Sequence, residues 1–219
     1  FFKQKTAYAI RLSLVGSEMC IRDRNLIPQN IRNYLERGSS KRQSNDAVNY
    51  LIGDNRESIC ASAETLSNDF LTLVEDEPLV GDVNDAANII YQKLKEVEVN
   101  DKPTAIVWGG ETTVKIKGNG LGGRNQELAL IVAKLAHENP ITKSWVFLSA
   151  GTDGRDGPTE AAGAIVDQET CKRILKNGCE VADFLSENNS NAALRISDDL
   201  LHIGATGTNV ADVQILIIS

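Results

Sequence analysis

Residues 118–138 read GNGLGGRNQELALIVAKLAHE: four glycines and an arginine stand in front of a run in which Leu128, Ile131, Val132 and Leu135 recur at helical spacing. That spacing predicts an amphipathic helix from Asn125 to His137 with one apolar stripe for a core. Glycines that open a helix also present backbone N–H groups to an anion, so the stretch reads first as a phosphate cradle. Gly118, Gly120 and Gly123 formally satisfy GxGxxG, the spacing of a dinucleotide-binding turn. The context argues against that. TVKIK, just upstream, alternates Val114 and Ile116 with Lys115 and Lys117, which predicts a half-exposed strand and not the continuous apolar first strand of a Rossmann unit. The next apolar strand, WVFLSA, lacks an acid at the distance, roughly 20 residues, that would catch a ribose. Two readings remain: a helix N-terminus reinforced by Arg124, whose guanidinium is a planar and permanently charged fork, or a flexible connector with a solvent-facing arginine.

Outward from this stretch, short apolar runs alternate with helix-period segments, which predicts an α/β fold. The run 25–40 reads as a helix with Pro28 near its first turn, 47–53 as a strand, and 54–66 as a helix capped by Asp54 or Asn55. A strand over 70–76 is followed by a helix over 82–97 that places Ala86, Ile89, Ile90 and Leu94 on one face. The charged segment 98–104, closed by Pro103, reads as a linker and sets a domain boundary between 103 and 104. Beyond it come strands at 105–110, 145–151 and 161–167, helices over 169–178 and 179–188, and a final apolar run, 200–218.

The chain of 219 residues has a formal charge of −7, 42% apolar residues and 24% charged residues. This is a globular composition, and it excludes broad contact with nucleic acid or anionic lipid, which requires a dense Lys/Arg face. Cys20, Cys60, Cys171 and Cys179 form no CxxC pair and read as reduced thiols of a cytoplasmic protein. His137, in the last turn of its helix, and His202, in an apolar run, read as structural, and two histidines make a metal cluster a poor expectation.

Two further loops carry candidate chemistry. GGETT, 109–113, offers Gly109 and Gly110 as a close backbone approach and Glu111 with the hydroxyls of Thr112 and Thr113 as groups that orient a ligand or meet hydrated magnesium; it reads equally as a glycine-softened bend within a strand. SAGTDGRDGPTEAAG, 149–163, ends an apolar strand in a turn bearing Asp153 and Asp156, where open α/β sheets place ligand chemistry. A carboxylate there would accept a hydroxyl proton or hold magnesium beside phosphate, or Asp would cap its own turn. GATGTN, 204–209, adds Thr208 and Asn209 as donors. Gathered at one edge, these turns predict an electropositive rim that grips a phosphorylated or carboxylated small molecule.

GGETTVKIKGNGLGGRNQELAL, SAGTDGRDGPTEAAGAIVD and GATGTNVADVQILI, in this order, resemble the MOFRL domain of class II glycerate 2-kinases over nearly all of 104–218. NYLIGDNRESICASAE is similar to a strand-helix step near the end of that family's larger Rossmann-like domain, so the resemblance implies a C-terminal remnant of that domain over 25–103 and a MOFRL domain over 104–219. It also implies ATP-dependent phosphorylation of the 2-hydroxyl of D-glycerate with magnesium, in a cleft between two domains. On matching positions Arg124 neutralises the transferring phosphoryl group and Asp153 orients substrate or metal. Gly110, Glu111, Thr112, Gly122, Gly123, Asn125, Asp156, Thr208 and Asn209 become cofactor-binding candidates, with no metal ligand assigned. The Gly-rich nucleotide segments and reactive lysine of the family have no counterpart here, so the expectation is a truncated chain without detectable glycerate phosphorylation. A stand-alone anion-binding module and a hydroxypyruvate reductase are the competing readings. Residues 1–24 resemble the conceptual translation of a sequencing-adapter read-through, and are expected to be a leader without function.

Overall fold

The computed structural model describes residues 53–219; the expected leader, the helix over 25–40 and, but for Gly53, the strand over 47–53 lie outside the described residues. Helix α1 (Asn55–Leu66) is followed by β1 (Leu71–Val74), β2 (Leu79–Asp82), α2 (Val83–Val97) and β3 (Thr104–Thr113). Then come α3 (Arg124–Glu138), β4 (Trp145–Gly151), β5 (Gly163–Asp167), α4 (Thr170–Lys176), α5 (Val181–Ser186), α6 (Ser190–Ile196), β6 (Leu200–Leu201) and β7 (Asp212–Ile218). The fold is α/β.

One mixed sheet of seven strands runs β1-β3-β7-β4-β5-β6, with β2 also paired to β3. β1 and β2 are parallel to β3 and follow each other along the same edge, since β1 registers with 104–107 and β2 with 110–113 while β7 occupies the opposite edge. Every other pairing is antiparallel. β7, the last strand in sequence, is therefore inserted between β3 and β4. This sets Asp212 in register with Gly110 on one side and Gly151 on the other.

Two apolar clusters sandwich the sheet. On one face α2 and α3 pack Ile90, Leu94, Leu128 and Val132 against Ile106, Trp108, Phe147 and Leu216. On the other, Ile59 and Ala63 of α1 meet Val107, with Val74, Val213 and Ile215 packed around them. The helix starts follow from chain chemistry: Asp54 caps α1 by accepting from the Glu57 amide, and Asp82 caps α2 by accepting from Asn84. No helix among the described residues is long and apolar enough to cross a membrane.

Several expectations are corrected. Ile89 does not belong to the buried face of α2: it is 53% exposed, and the face consists of Val83, Ala86, Ala87, Ile90, Tyr91, Leu94 and Val97. TVKIK is no strand, because β3 ends at Thr113 and Ile116 is 83% exposed. GGETT is not a loop but the last half of β3. The short strand β2 and the helix α6 were not legible as elements.

Candidate functional site

The connection from β3 to α3 lies on the turn between α5 and α6 and is tied there. The Lys117 and Gly118 amides donate to Asn188 Oδ1, the Gly120 amide to the Glu187 carbonyl and the Leu121 amide to Asn189 Oδ1. A Cβ at Gly120 would overlap the backbone of Glu187 and Asn189, so glycine is needed there for close approach. The ten residues between β3 and α3 are thus a strapped excursion, and the tight strand-turn-helix that a dinucleotide fingerprint requires is absent from this segment.

The α3 N-terminus has its own anion. Asp156 is buried and its carboxylate accepts from the Asn125 amide (3.1 Å), the Gln126 amide (2.9 Å), Gln126 Nε2 (3.0 Å) and Asn125 Nδ2 (3.3 Å). Burial pushes the Asp156 carboxyl above the ordinary carboxylate range, against the opposing pull of these donors. The network continues inward. Ser149 donates to Asn125 Oδ1 at 2.6 Å, Gln126 Nε2 donates to Thr159 at 2.9 Å, and Asn191 donates to Gln126 Oε1 at 2.8 Å. Of the cradle donors at 117–126 that the sequence suggested for a ligand, the amides of Lys117, Gly118, Gly120, Leu121, Asn125 and Gln126 are therefore satisfied within the chain.

Arg124 is the first residue of α3 and lies across the sheet end. Its Nε donates to Asp212 Oδ2 at 2.6 Å and its Nη2 to Asp212 Oδ1 at 2.9 Å, a side-on fork onto a carboxylate that is fully buried. Its Nη1 stands 3.2 Å from Glu111 Oε1, and the arginine side chain keeps 34% of its surface exposed. The hydrogen bonds to Asp212 raise the arginine further above its already high value, so it is charged at any working pH. With two carboxylates on one guanidinium, the rim is not electropositive as expected.

The turn after β4 brings in Asp153. The Thr152 amide donates to the Ala211 carbonyl beside Asp212, so Asp153 stands at the same end of the sheet as Arg124. Asp153 Oδ2 accepts from Asn209 Nδ2 at 3.1 Å and Oδ1 from the Arg155 amide at 3.0 Å. An open hollow of about 650 Å³ is lined by Asp153, Gly154, Arg155, Glu160, His202, Gly204 and Ala205, and Arg124 is not among its walls. His202, read as structural, is an exposed wall of this hollow.

Among the other candidates, Gly110 registers with Asp212 and Leu79, and Thr112 is buried with its hydroxyl unpartnered. Gly122 lies against Ser190, and Gly123 is the α3 N-cap residue beside Asp156. Thr208 exchanges hydrogen bonds with Thr206 of its own loop. The structure thus joins Glu111 with Arg124, Asn125 with Asp156 and Asn209 with Asp153. Asp212, which sequence reasoning did not single out, links the first group to the sheet. Its only signal was an acid at the start of an apolar strand. Among the described residues no group of three or more His, Cys, Asp or Glu could hold a metal ion.

Residues 104–212 match the model of the MOFRL family. They are a MOFRL-family domain. The chain is 40% identical over 193 residues to D-glycerate 2-kinase of Thermotoga maritima, covering 85% of this chain and 45% of that protein. It is 48% identical over 118 residues to human glycerate kinase, covering 52% of this chain and 23% of the human protein. A crystal structure of glycerate kinase from Thermotoga maritima superposes with a TM-score of 0.76 at 35% identity, covering 86% of this chain and 49% of that one. The chain therefore spans less than half the length of these curated relatives.

Proposed function

We propose that this chain belongs to a D-glycerate 2-kinase, in which its MOFRL domain, taken as residues 104–219, supplies an arginine and a carboxylate to phosphoryl transfer onto a small hydroxy acid; residues 25–103 are taken as the tail of a Rossmann-like domain. The observation that carries the reading is the arrangement at the sheet end, joined to relatives that bear that name. Arg124 is anchored along one edge and half open along the other, as needed for a fork that meets a phosphoryl or carboxylate group. Asp153 is held by Asn209 and the Arg155 amide and keeps lone pairs free to accept a substrate hydroxyl. Cys60, Cys171 and Cys179 are free thiols, in keeping with a reduced compartment such as the cytoplasm.

ATP with magnesium is the phosphoryl donor in this reading. The residues at 117–126 do not fit a triphosphate cradle, because the amides of Lys117, Gly118, Gly120, Leu121, Asn125 and Gln126 are bonded to Asn188, Glu187, Asn189 and Asp156, and the Asp156 carboxylate takes the helix N-terminus where a phosphate would sit. No residue is therefore assigned to the donor and no step is routed through it. A reductase would need a nicotinamide site, and the strapped β3-α3 excursion does not offer the fingerprint turn.

Calorimetric titration of the chain with 2-phosphoglycerate tests the reading. Arg124→Ala is expected to weaken binding by about tenfold or more, the loss of a charged hydrogen-bonding pair. An absence of binding to the unsubstituted chain, or equal binding by the variant, removes the proposal. No glycerate-dependent release of ADP is expected from the chain in a coupled assay, and such turnover would overturn the expectation of an inactive span.

A further inference from the structure

The two edges of the Arg124 guanidinium are not equivalent. The side-on edge, Nε with Nη2, is clasped by Asp212, whose carboxylate is fully buried at the start of β7. Both residues in register with Asp212 across the sheet, Gly110 and Gly151, are glycines, so neither directly opposite position carries a side chain. The end-on edge differs. Nη1 lies 3.2 Å from Glu111 Oε1 without forming an aligned hydrogen bond, and Glu111 is itself partly exposed. One edge is fixed in the sheet, then, and the other is held only by a loose ion pair that solvent reaches.

We infer that Asp212 is a positioning residue that fixes the plane of Arg124, and that the Nη1 side is the ligand-facing edge, from which an incoming anion displaces Glu111. This rests on the reading above that Arg124 meets an anion. The reason lies in geometry: a guanidinium gives bidentate recognition only when its plane is set beforehand, and a buried two-point clamp on one edge sets it. Simple charge counting gives the opposite expectation. Removing a carboxylate beside Arg124 should strengthen anion binding, so the two roles predict opposite signs.

The experiment measures inorganic phosphate affinity of the 219-residue chain by calorimetry, together with the Arg124 Nε–H signal by NMR. In the unsubstituted chain the Nε–H is expected to exchange slowly with water, before and after saturation with phosphate. Asp212→Asn, close in shape, is expected to lose that slow exchange and to weaken phosphate binding about tenfold, although a negative charge has gone. Glu111→Gln is expected to tighten phosphate binding severalfold and leave the Nε–H signal in place. Unchanged or tighter binding in Asp212→Asn overturns the inference, as does a fast-exchanging Nε–H in the unsubstituted chain, which is readable even if the variant does not fold. Phosphate binding that ignores Arg124→Ala would instead sink the reading of the site itself.

Discussion

Gly123 shows how closely the candidate site depends on single atoms. It is the last residue before α3, and a Cβ built there would overlap the Asp156 carboxylate that caps the helix. Gly123→Ala is expected to cost about 2 kcal/mol, because either the carboxylate or the helix start must move and break charged bonds. Chemical denaturation would measure it, and a loss below roughly 0.5 kcal/mol, the range of surface substitutions, would show that the cap relaxes freely. Glu127, one turn into the helix, gives a pH-dependent counterpart. It is buried, it accepts from Asn188 Nδ2 at 3.0 Å, and burial pushes its carboxyl above the ordinary value of 4.5. A raised folded value means the folded state holds the proton more firmly. The contribution is complete below 4.5 and is lost as pH rises through the folded value. Glu127→Gln lacks this loss, so its stability relative to the unsubstituted chain should improve from pH 4 to pH 7, a pair of conditions on the order of those that bracket carboxylate titration. Denaturant midpoints at both pH values would decide it, and a constant difference would contradict the raised value.

Among the elements, α2 offers the sharpest contrast between neighbours. Ile90 is fully buried against α3 and the sheet, while Ile89 faces solvent. Ile90→Ala should cost about 3 kcal/mol from lost burial and a residual cavity, and Ile89→Ala about 0.5 kcal/mol or less. Similar losses at both would mean that Ile89 is covered in solution. The same comparison explains what the sequence could reveal. A helix of fifteen residues such as α3 repeats its apolar period often enough to be recognised, whereas four-residue β2 and seven-residue α6 carry too few repeats. TVKIK alternates like a strand, yet alternation needs a sheet edge to bind to, and Asn188 takes the backbone instead. At the site, Arg124 and Asp153 were legible because each sits in a glycine-rich break. Asp212 was not, because its partner is 88 residues away in sequence and only the insertion of β7 between β3 and β4 brings them together.

For the molecule as a whole, the sheet order predicts a gradient of protection. β7 has strand partners on both edges and sends Leu216 and Ile218 into the main core. Its amides should open only in the costliest fluctuations and exchange slowest. β1 stands at the other limit. Leu71 N donates to the Pro103 carbonyl and Glu75 N to the Val107 carbonyl, so by the two-residue period of a strand the Leu73 amide also faces β3. Thr72 and Val74 then turn their amides to the edge that has no strand partner among the described residues. Hydrogen exchange read residue by residue should give rapid exchange at Thr72 and Val74, slower exchange at Leu71, Leu73 and Glu75, and the slowest along β7. An exchange rate at Thr72 and Val74 as low as at Leu73 would show that the outer edge of β1 is paired in solution. Exposed Leu71 and Leu73 make that edge the place where the sheet can be extended, so the alternation within β1, more than its average, decides whether the sheet ends there.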